Sequence, residues 1–445
     1  MVNHLYYPDT IVAIATASGR GGVGVIRISG KSLSSLANIC EGLPSPRVAK
    51  FCTFRSSQGH ILDQGLALYF PAPHSFTGED VLELHGHGGT AVMQSLLKRC
   101  VELGARLAEP GEFTKRAFLN RKIDLAQAEA IADLIDASST AAIYSAARSL
   151  SGEFSKRINS VVETLIHTRM LIEACLDFPE EEIEVVDRTA ILSQLDDIET
   201  MLTSIIKRSQ NSAILRDGLS VVLIGQPNVG KSSLLNQLAE EDLAIVTDVP
   251  GTTRDSVSSE ISINGISLNI VDTAGLRDTH DVVEKIGIEK TWKAVNKADI
   301  ALFITDVTRE QSDADTSILR NLPVSLPVIR ILNKIDLINA NEPISDDGFM
   351  ISAKTGQGID ELRSKLLAVA GWHPSEEGTF LARERHLAAL NSALAYVKNI
   401  SVDSHAFELI AEELRLAQSA LSTITGEFTA DDLLGEIFSK FCIGK

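Results

Sequence analysis

One octapeptide constrains this chain more than any other feature. Gly225-Gln-Pro-Asn-Val-Gly-Lys-Ser232 matches the phosphate-loop pattern G-x-x-x-x-G-K-[ST] at every position. The apolar run from Leu219 to Ile224 precedes it as a buried strand would, and Ser232-Ser-Leu-Leu-Asn-Gln-Leu238 follows with helical spacing. Gly225 and Gly230 let the backbone curl so that its N–H groups face phosphate oxygens. Lys231 adds a charge near the β and γ phosphates, and Ser232 offers its hydroxyl to Mg²⁺. Such a loop binds a nucleoside triphosphate; the competing reading is a bare glycine-rich strand-to-helix turn.

The loop has company. Downstream stand Gly251-Thr-Thr-Arg-Asp255, then Asp272-Thr-Ala-Gly275 after the apolar run 266–271. Asn333-Lys-Ile-Asp336 and Ser352-Ala-Lys354 each follow a further apolar run. Five segments in this order resemble the five nucleotide-binding motifs of a small GTPase domain. Asn333 and Asp336 set the base, because a carboxylate there accepts from both the ring N1–H and the exocyclic amine of guanine. Adenine would leave that acceptor unpaired at about 1–3 kcal/mol or more, so the nucleotide is GTP rather than ATP. Ser352, Ala353 and Lys354 would support the base from the other side.

The hydrolytic part is less ordinary. Many GTPases orient the attacking water with a glutamine directly after D-x-x-G, yet here that position is Leu276, which has no polar atom. The segment from Leu243 to Asp255, with Asn228 inside the loop, resembles the potassium-activated GTPases of the translation-factor class. That resemblance implies a K⁺ site beside the phosphates, with Asn228, Thr247, Val249 and Thr252 at the matching positions; the cation would offset charge developing in the transition state. Pro250 departs from the alanine-like residue expected there. Thr253 is the choice for the second Mg²⁺ ligand after Ser232, although Thr252 could serve by chemistry alone. Glu284, in Asp281-Val-Val-Glu-Lys-Ile-Gly287, matches the water-orienting glutamate and reads equally as a solvated helix start. Arg254 is a switch residue or a surface charge. The implied nucleotide contacts are completed by Val229, Gly230, Ser233, Asp248, Gly251, Asp272, Thr273, Ala274, Gly275 and Lys334.

At 445 residues and 44% hydrophobic content the chain is an ordinary globular protein with room for about three domains. No stretch approaches the roughly 18 consecutive apolar residues of a membrane span, and no basic-then-apolar leader opens the chain, so neither membrane insertion nor secretion is expected. The five cysteines, at 40, 52, 100, 175 and 442, are scattered and include no C-x-x-C pair. A disulfide framework or zinc site is therefore not expected, and a reducing, cytoplasmic setting is. The net charge of −18 disfavours phosphate contacts overall. Residues 1–120, however, carry 11 Lys and Arg against 9 Asp and Glu, so any contact with RNA is expected there or through a basic partner.

Residues 1–120 alternate short apolar runs with turns rich in Gly, Pro and Ser, the texture of a mixed α/β domain. From Ile123 onward, apolar residues at spacings of three and four predict long amphipathic helices. The nucleotide motifs interrupt this texture, which resumes at Leu381. The expected architecture is multidomain, α/β plus all-α: an N-terminal domain (1–120), a helical domain in two parts (121–215 and 375–445), and a P-loop GTPase domain, Ras-like and doubly wound, inserted at 216–374. Gly371 to Gly378 and Arg216-Asp-Gly218 would form the connections. The acidic run Glu180 to Glu184 is a surface for a basic partner or a solvated helix start.

Further segments are specific. They are Thr10 to Thr16 with Gly19-Arg-Gly-Gly-Val-Gly-Val-Ile-Arg-Ile-Ser-Gly30, Ser75 to Gly89, Pro110 to Asn120 with Asp124 to Ala130, and the closing Phe441-Cys-Ile-Gly-Lys445. Together they resemble the MnmE family, also called TrmE, of the TrmE-Era-EngA-like GTPases, over essentially the full length. The resemblance implies a homodimeric tRNA modification GTPase. With the FAD-dependent partner MnmG (GidA), as a heterotetramer, it would add an aminomethyl-type or carboxymethylaminomethyl group to carbon 5 of the wobble uridine. It also implies an N-terminal folate-binding-like domain holding a 5-formyl- or methylene-tetrahydrofolate, contacted by Arg27, Glu83, Lys122 and Lys445; a pterin edge suits a carboxylate, and a glutamyl tail suits cations. Cys442 is either a chemical participant or an incidental thiol, and a role requires the tail to reach an N-terminal domain. His85 and His87, without other ligands beside them, read as packing or hydrogen-bonding groups rather than metal ligands. The rival function is an RNA-binding ribosome or tRNA assembly GTPase without modification chemistry.

Overall fold

The computed structural model describes residues 9–177, 188–209, 212–239, 258–263, 265–272, 292–309, 312–338, 348–369, 380–400, 407–426, 431–439, 441, 442 and 444. They form two compact units. One comprises Met1–Ala132, Leu150–Glu199 and Ser392–Lys445, the other Asp133–Ser149 and Thr200–Asn391.

The first unit holds a six-stranded sheet of β1 (Ile11–Ile14), β2 (Gly21–Gly30), β3 (Lys50–Arg55), β4 (Ile61–Phe70), β5 (Asp80–Gly88) and β6 (Arg106–Leu107). Its order is β3-β4-β5-β2-β1-β6, antiparallel throughout except where β6 joins β1 in parallel. Alternation along β2 and β5 sends Ile26, Ile28, Leu82 and Leu84 into one core with Met93, Leu96 and Cys100 of the helix Thr90–Glu102. The same alternation turns Arg27 and Glu83, paired in register, to the opposite face. A Cβ at Gly24 would fall on the Met93 side chain and on the backbone of Gly88 in β5, so a larger residue there requires both to shift. Phe113 of the helix Glu112–Leu119 packs with Ile11 and Ala13.

The helical part of this unit is led by the helix Glu153–Asp177, which runs against the helix Phe407–Thr425. Ile158, Val161, Leu165 and Ile172 on the first, and Ile410, Leu414, Ala417, Leu421 and Ile424 on the second, form buried stripes at spacings of three, four and seven. Arg169 Nη1 donates to Gln418 Oε1 at 2.8 Å across the pair.

The second unit is built on β7 (Leu219–Ile224), β8 (Ser258–Ile263), β9 (Ile266–Asp272), β10 (Ile300–Asp306), β11 (Val328–Asn333) and β12 (Phe349–Met350), in the order β12-β11-β10-β7-β9-β8. All neighbours are parallel except the β8–β9 hairpin. Both faces are covered: Val221 and Leu223 join Leu234, Leu238 and Ile351, while Val222 and Ile224 join Val295 and Phe303. Burial on two sides is why these strands read as continuous apolar runs.

Residues 133–149, helical in texture, pack in this unit. Ala146 lies in its core, Ala141 N donates to Gly265 O at 3.2 Å, and Arg383 Nη2 pairs with the buried Asp133 at 2.7 Å. Phe380 N donates to Arg208 O at 3.3 Å, which brings the chain on either side of the nucleotide motifs together. No helix among the described residues is long and apolar enough to cross a membrane.

Candidate functional site

In a doubly wound sheet, ligands bind at the carboxyl ends of the strands where the order reverses. Here β7 is the central strand at that reversal, and the loop 225–230 follows it directly. Gly225 approaches Ile304 O of β10 so closely that a Cβ would collide, and Asn228 and Gly230 take positive φ of 64° and 98°. The curl ends at the helix Lys231–Ala239, whose first bond in the ladder runs from Leu234 N to Gly230 O at 2.9 Å. The amides of Lys231, Ser232 and Ser233 precede that bond at the positive end of the helix dipole, an arrangement suited to phosphate. Lys231 Nζ donates to Gly225 O at 2.8 Å and Gln226 O at 3.2 Å, so its ammonium lies within the curl.

The motif 333–336 is joined to this loop by direct bonds. Asn333, 2% exposed, donates from Nδ2 to Val229 O at 2.8 Å and accepts at Oδ1 from Ala353 N at 2.9 Å. Its amide therefore clamps three segments, and both of its ends are occupied by protein. Lys334, with φ of 71°, donates from Nζ to Asn228 O at 2.9 Å. Asp336 Oδ1 accepts from Ser352 Oγ at 2.7 Å. Ser352 is held by Thr355 N at 3.2 Å, and Gly356 N donates to its carbonyl at 2.9 Å. Thus Asn228, Val229, Gly230, Asn333, Lys334, Asp336, Ser352 and Ala353, far apart in sequence, meet at one sheet edge; Lys354 follows in the same turn.

Sequence reasoning missed Asp306, the last residue of β10. Its buried carboxylate receives Lys334 Nζ at 2.6 Å, Thr308 Oγ1 at 2.7 Å and Thr308 N at 3.0 Å. Burial pushes the carboxyl up, but the bonds from Lys334 and Thr308 outweigh it and hold the group below its ordinary range. The only signal was a lone carboxylate closing an apolar run. Thr247, Asp248, Val249, Pro250, Gly251, Thr252, Thr253, Arg254, Thr273, Ala274, Gly275, Glu284 and Lys445, and the side chain of Asp272, lie outside the described residues.

The first unit carries the second constellation. Arg27 Nε pairs with Glu83 Oε1 at 2.9 Å, His85 Nε2 meets Glu83 Oε2 at 3.2 Å, and the Arg27 guanidinium stacks 5.9 Å from the centre of the Phe76 ring. Lys122 Nζ donates to Pro73 O at 3.0 Å. His87 Nδ1 meets Asp63 Oδ1 at 2.8 Å. Both histidines are thus partners of carboxylates, and no described group of three His, Cys, Asp or Glu could hold a metal.

The C-terminal tail returns to this sheet within the same chain. Phe441 packs with Phe438, Leu125 and Ala128, and Gly111 N donates to Cys442 O at 3.4 Å. Gly444 (φ of 98°) lies against Ile14 O at the end of β1 and against Ala15 just beyond it, too close for a Cβ. Ala13 in β1 pairs with Arg27 of β2 in register, so the tail is docked against the strand next to the one that carries Arg27. Cys442 is exposed, whereas Cys40, Cys52 and Cys100 are buried, and burial pushes the Cys40 thiol up to about 11 and the Cys100 thiol up to about 12.

Similarity to known proteins covers the whole chain. The family description "MnmE helical domain" matches residues 125–442, and "GTP-binding protein TrmE N-terminus" matches 10–122. The tRNA modification GTPase MnmE of Azoarcus sp. is 56% identical over 98% of this chain and 98% of its own. That of Chromobacterium violaceum is 55% identical over 100% of both. Among solved structures, an Aquifex aeolicus Era variant bound to GDP·AlF4⁻ aligns with 28% identity over 40% of this chain and 66% of that chain, at a TM-score of 0.30. With a family description spanning most of its length and relatives above half identity end to end, this chain belongs to the MnmE family of GTPases.

Proposed function

We propose that this GTP hydrolase acts on tRNA, coupling GTP turnover to the addition of an aminomethyl-type or carboxymethylaminomethyl group at carbon 5 of the wobble uridine, as a homodimer working with the FAD-dependent partner MnmG. The observation that supports this over an assembly GTPase is the docked tail. The tail holds an exposed thiol, Cys442, whose carbonyl accepts from Gly111 N, while Gly444 lies against Ile14 and Ala15 at the end of β1, in the same sheet as the Arg27–Glu83 pair, a placement that serves modification chemistry and that RNA checking alone does not require. That pair offers a carboxylate and a guanidinium at one place, the chemistry a reduced folate's pterin edge and glutamyl tail require, with Lys122 and Lys445 as further cations. A tetrahydrofolate bound there would supply the one-carbon unit.

At the nucleotide site, Lys231 and the amides of residues 230–233 would hold the phosphates, and Asp336 would select guanine. Ser232 and Thr253 would hold Mg²⁺, whose charge offsets that of the β and γ phosphates. Asn228, Thr247, Val249 and Thr252 would hold K⁺, Glu284 would orient the attacking water, and Arg254 would act within the switch. Turnover should accordingly be stimulated far more by K⁺ than by Na⁺ in steady-state phosphate release; equal rates in the two salts would remove the Asn228 assignment.

The function is tested by mass spectrometry of tRNA nucleosides from cells lacking the gene. Loss of the wobble modification, restored by the intact gene but not by Lys231→Ala or Cys442→Ser, is the expected result. Unchanged nucleosides in the deletion strain would favour the assembly reading.

A further inference from the structure

We infer that Asp306 is a positioning residue for the bound nucleotide, acting at second hand through Lys334 on the backbone of the phosphate loop. The chain of contacts is short and lies within one unit. Asp306 Oδ2 takes Lys334 Nζ at 2.6 Å, and the same ammonium donates to Asn228 O at 2.9 Å. Asp306 Oδ1 is itself fixed by the Thr308 hydroxyl and amide at 2.7 and 3.0 Å, so the carboxylate has one orientation. Arg309 Nε stands 3.7 Å from Oδ2 on a mostly exposed side chain and does not replace the lysine.

Two strained residues meet on this ammonium. Asn228 and Lys334 are non-glycine residues at φ of 64° and 71°, conformations that cost free energy and persist only when their surroundings enforce them. Lys334 Nζ bonds the Asn228 carbonyl, and Asn333 Nδ2 bonds the next carbonyl, Val229 O, at 2.8 Å. The left-handed turn of the loop is therefore pinned from outside at two successive carbonyls, one pin being anchored by Asp306. Without the carboxylate, the lysine loses its nearly buried counter-charge and its fixed direction, and the loop relaxes away from the geometry that surrounds phosphate.

This inference rests on the reading that residues 225–232 hold the GTP phosphates, which Lys231→Ala tests separately by abolishing binding. In the full-length protein, Asp306→Asn should raise the dissociation rate of a fluorescent GDP analogue about tenfold, the scale of one charge-assisted hydrogen bond. KM for GTP should rise by a similar factor with kcat within about twofold, since no reacting atom is touched. Combining Asp306→Asn with Lys334→Met should add less than about twofold to the lysine variant alone, because the two act in series. Thr308→Val, a milder change, should raise GDP release about threefold and keeps the test open if Asp306→Asn does not fold. A lowered thermal midpoint with unchanged GDP release, or fully multiplicative effects of the Asp306 and Lys334 changes, would overturn the assignment.

Discussion

Asn333→Ala should weaken GTP and GDP binding by about a hundredfold or more while leaving the first unit folded. The size follows from what the side chain does. Its amide is 2% exposed and bridges Val229 O in the phosphate loop to Ala353 N in the turn after β12. Truncation strips both partners at once, and each buried backbone group left unpaired costs about 1–3 kcal/mol. The protein can avoid that cost only by letting the two segments part and take up water, which separates the phosphate cradle from Asp336 and Ser352. Asn333→Asp is the informative companion. It keeps the acceptor for Ala353 N, loses the donor to Val229 O, and places a carboxylate against a carbonyl, so binding should fall at least as far as in the alanine variant. Isothermal titration with GDP reads both; a loss below about threefold in Asn333→Ala would show that the clamp is redundant with Lys334.

This clamp marks the limit of what the sequence discloses. The order of the five motifs was legible because each is a short residue pattern and all but Gly251-Thr-Thr-Arg-Asp255 follow an apolar run, as strands of a parallel sheet buried on both faces do. The base assignment named Asn333 beside Asp336, but only coordinates reveal that both ends of the Asn333 amide face protein. Asp306 was illegible because a single carboxylate after an apolar strand carries no spacing signature, and its partners lie two and 28 residues away. The tail could be recognised from its residues, yet its destination depends on Gly111 and Gly444, two glycines whose positive φ values mean nothing until something packs against them. Arg27 and Glu83 were named from a resemblance. Their contact is a matter of strand register, which depends on pairings that no local pattern encodes.

Arg116→Met should destabilise the N-terminal sheet by about 3–5 kcal/mol, the range for removing one partner from a buried ionic cluster. Arg116 is 1% exposed and lies among three carboxylates. Nη1 bonds Asp9 O at 2.9 Å and Glu79 Oε2 at 3.1 Å, while Nη2 bonds Glu112 Oε1 at 2.9 Å and Asp9 Oδ1 at 3.0 Å. Methionine fills much of the volume but returns no charge, and Arg106, which already pairs with Asp9 and Glu112, does not reach Glu79 in this geometry. The Glu79 carboxylate would keep the bond from the Ser29 hydroxyl at 2.8 Å. The effect should depend on pH in a definite direction. Burial pushes the Glu112 and Asp9 carboxyls up, but the bonds from Arg106, with those from Arg116, outweigh it and hold both below their ordinary values. A carboxylate depressed in the folded state stabilises it fully above the unfolded value, about 3.9 for Asp and 4.3 for Glu, and loses that contribution as pH falls toward the folded value. Glu112 dominates, since Asp9 is two-fifths exposed and screened by water. The gap between wild type and Arg116→Met should therefore be constant from pH 6 to 8 and narrow below about pH 4.5, because wild type then loses the share that Arg116 supplies, while the share that Arg106 supplies is lost by both proteins. Hydrogen exchange of β1, β2 and β5 in the intact protein, read against pH, isolates this sheet from the rest of the chain; a gap that widens on acidification would show that the arginine is held by packing rather than by its carboxylates.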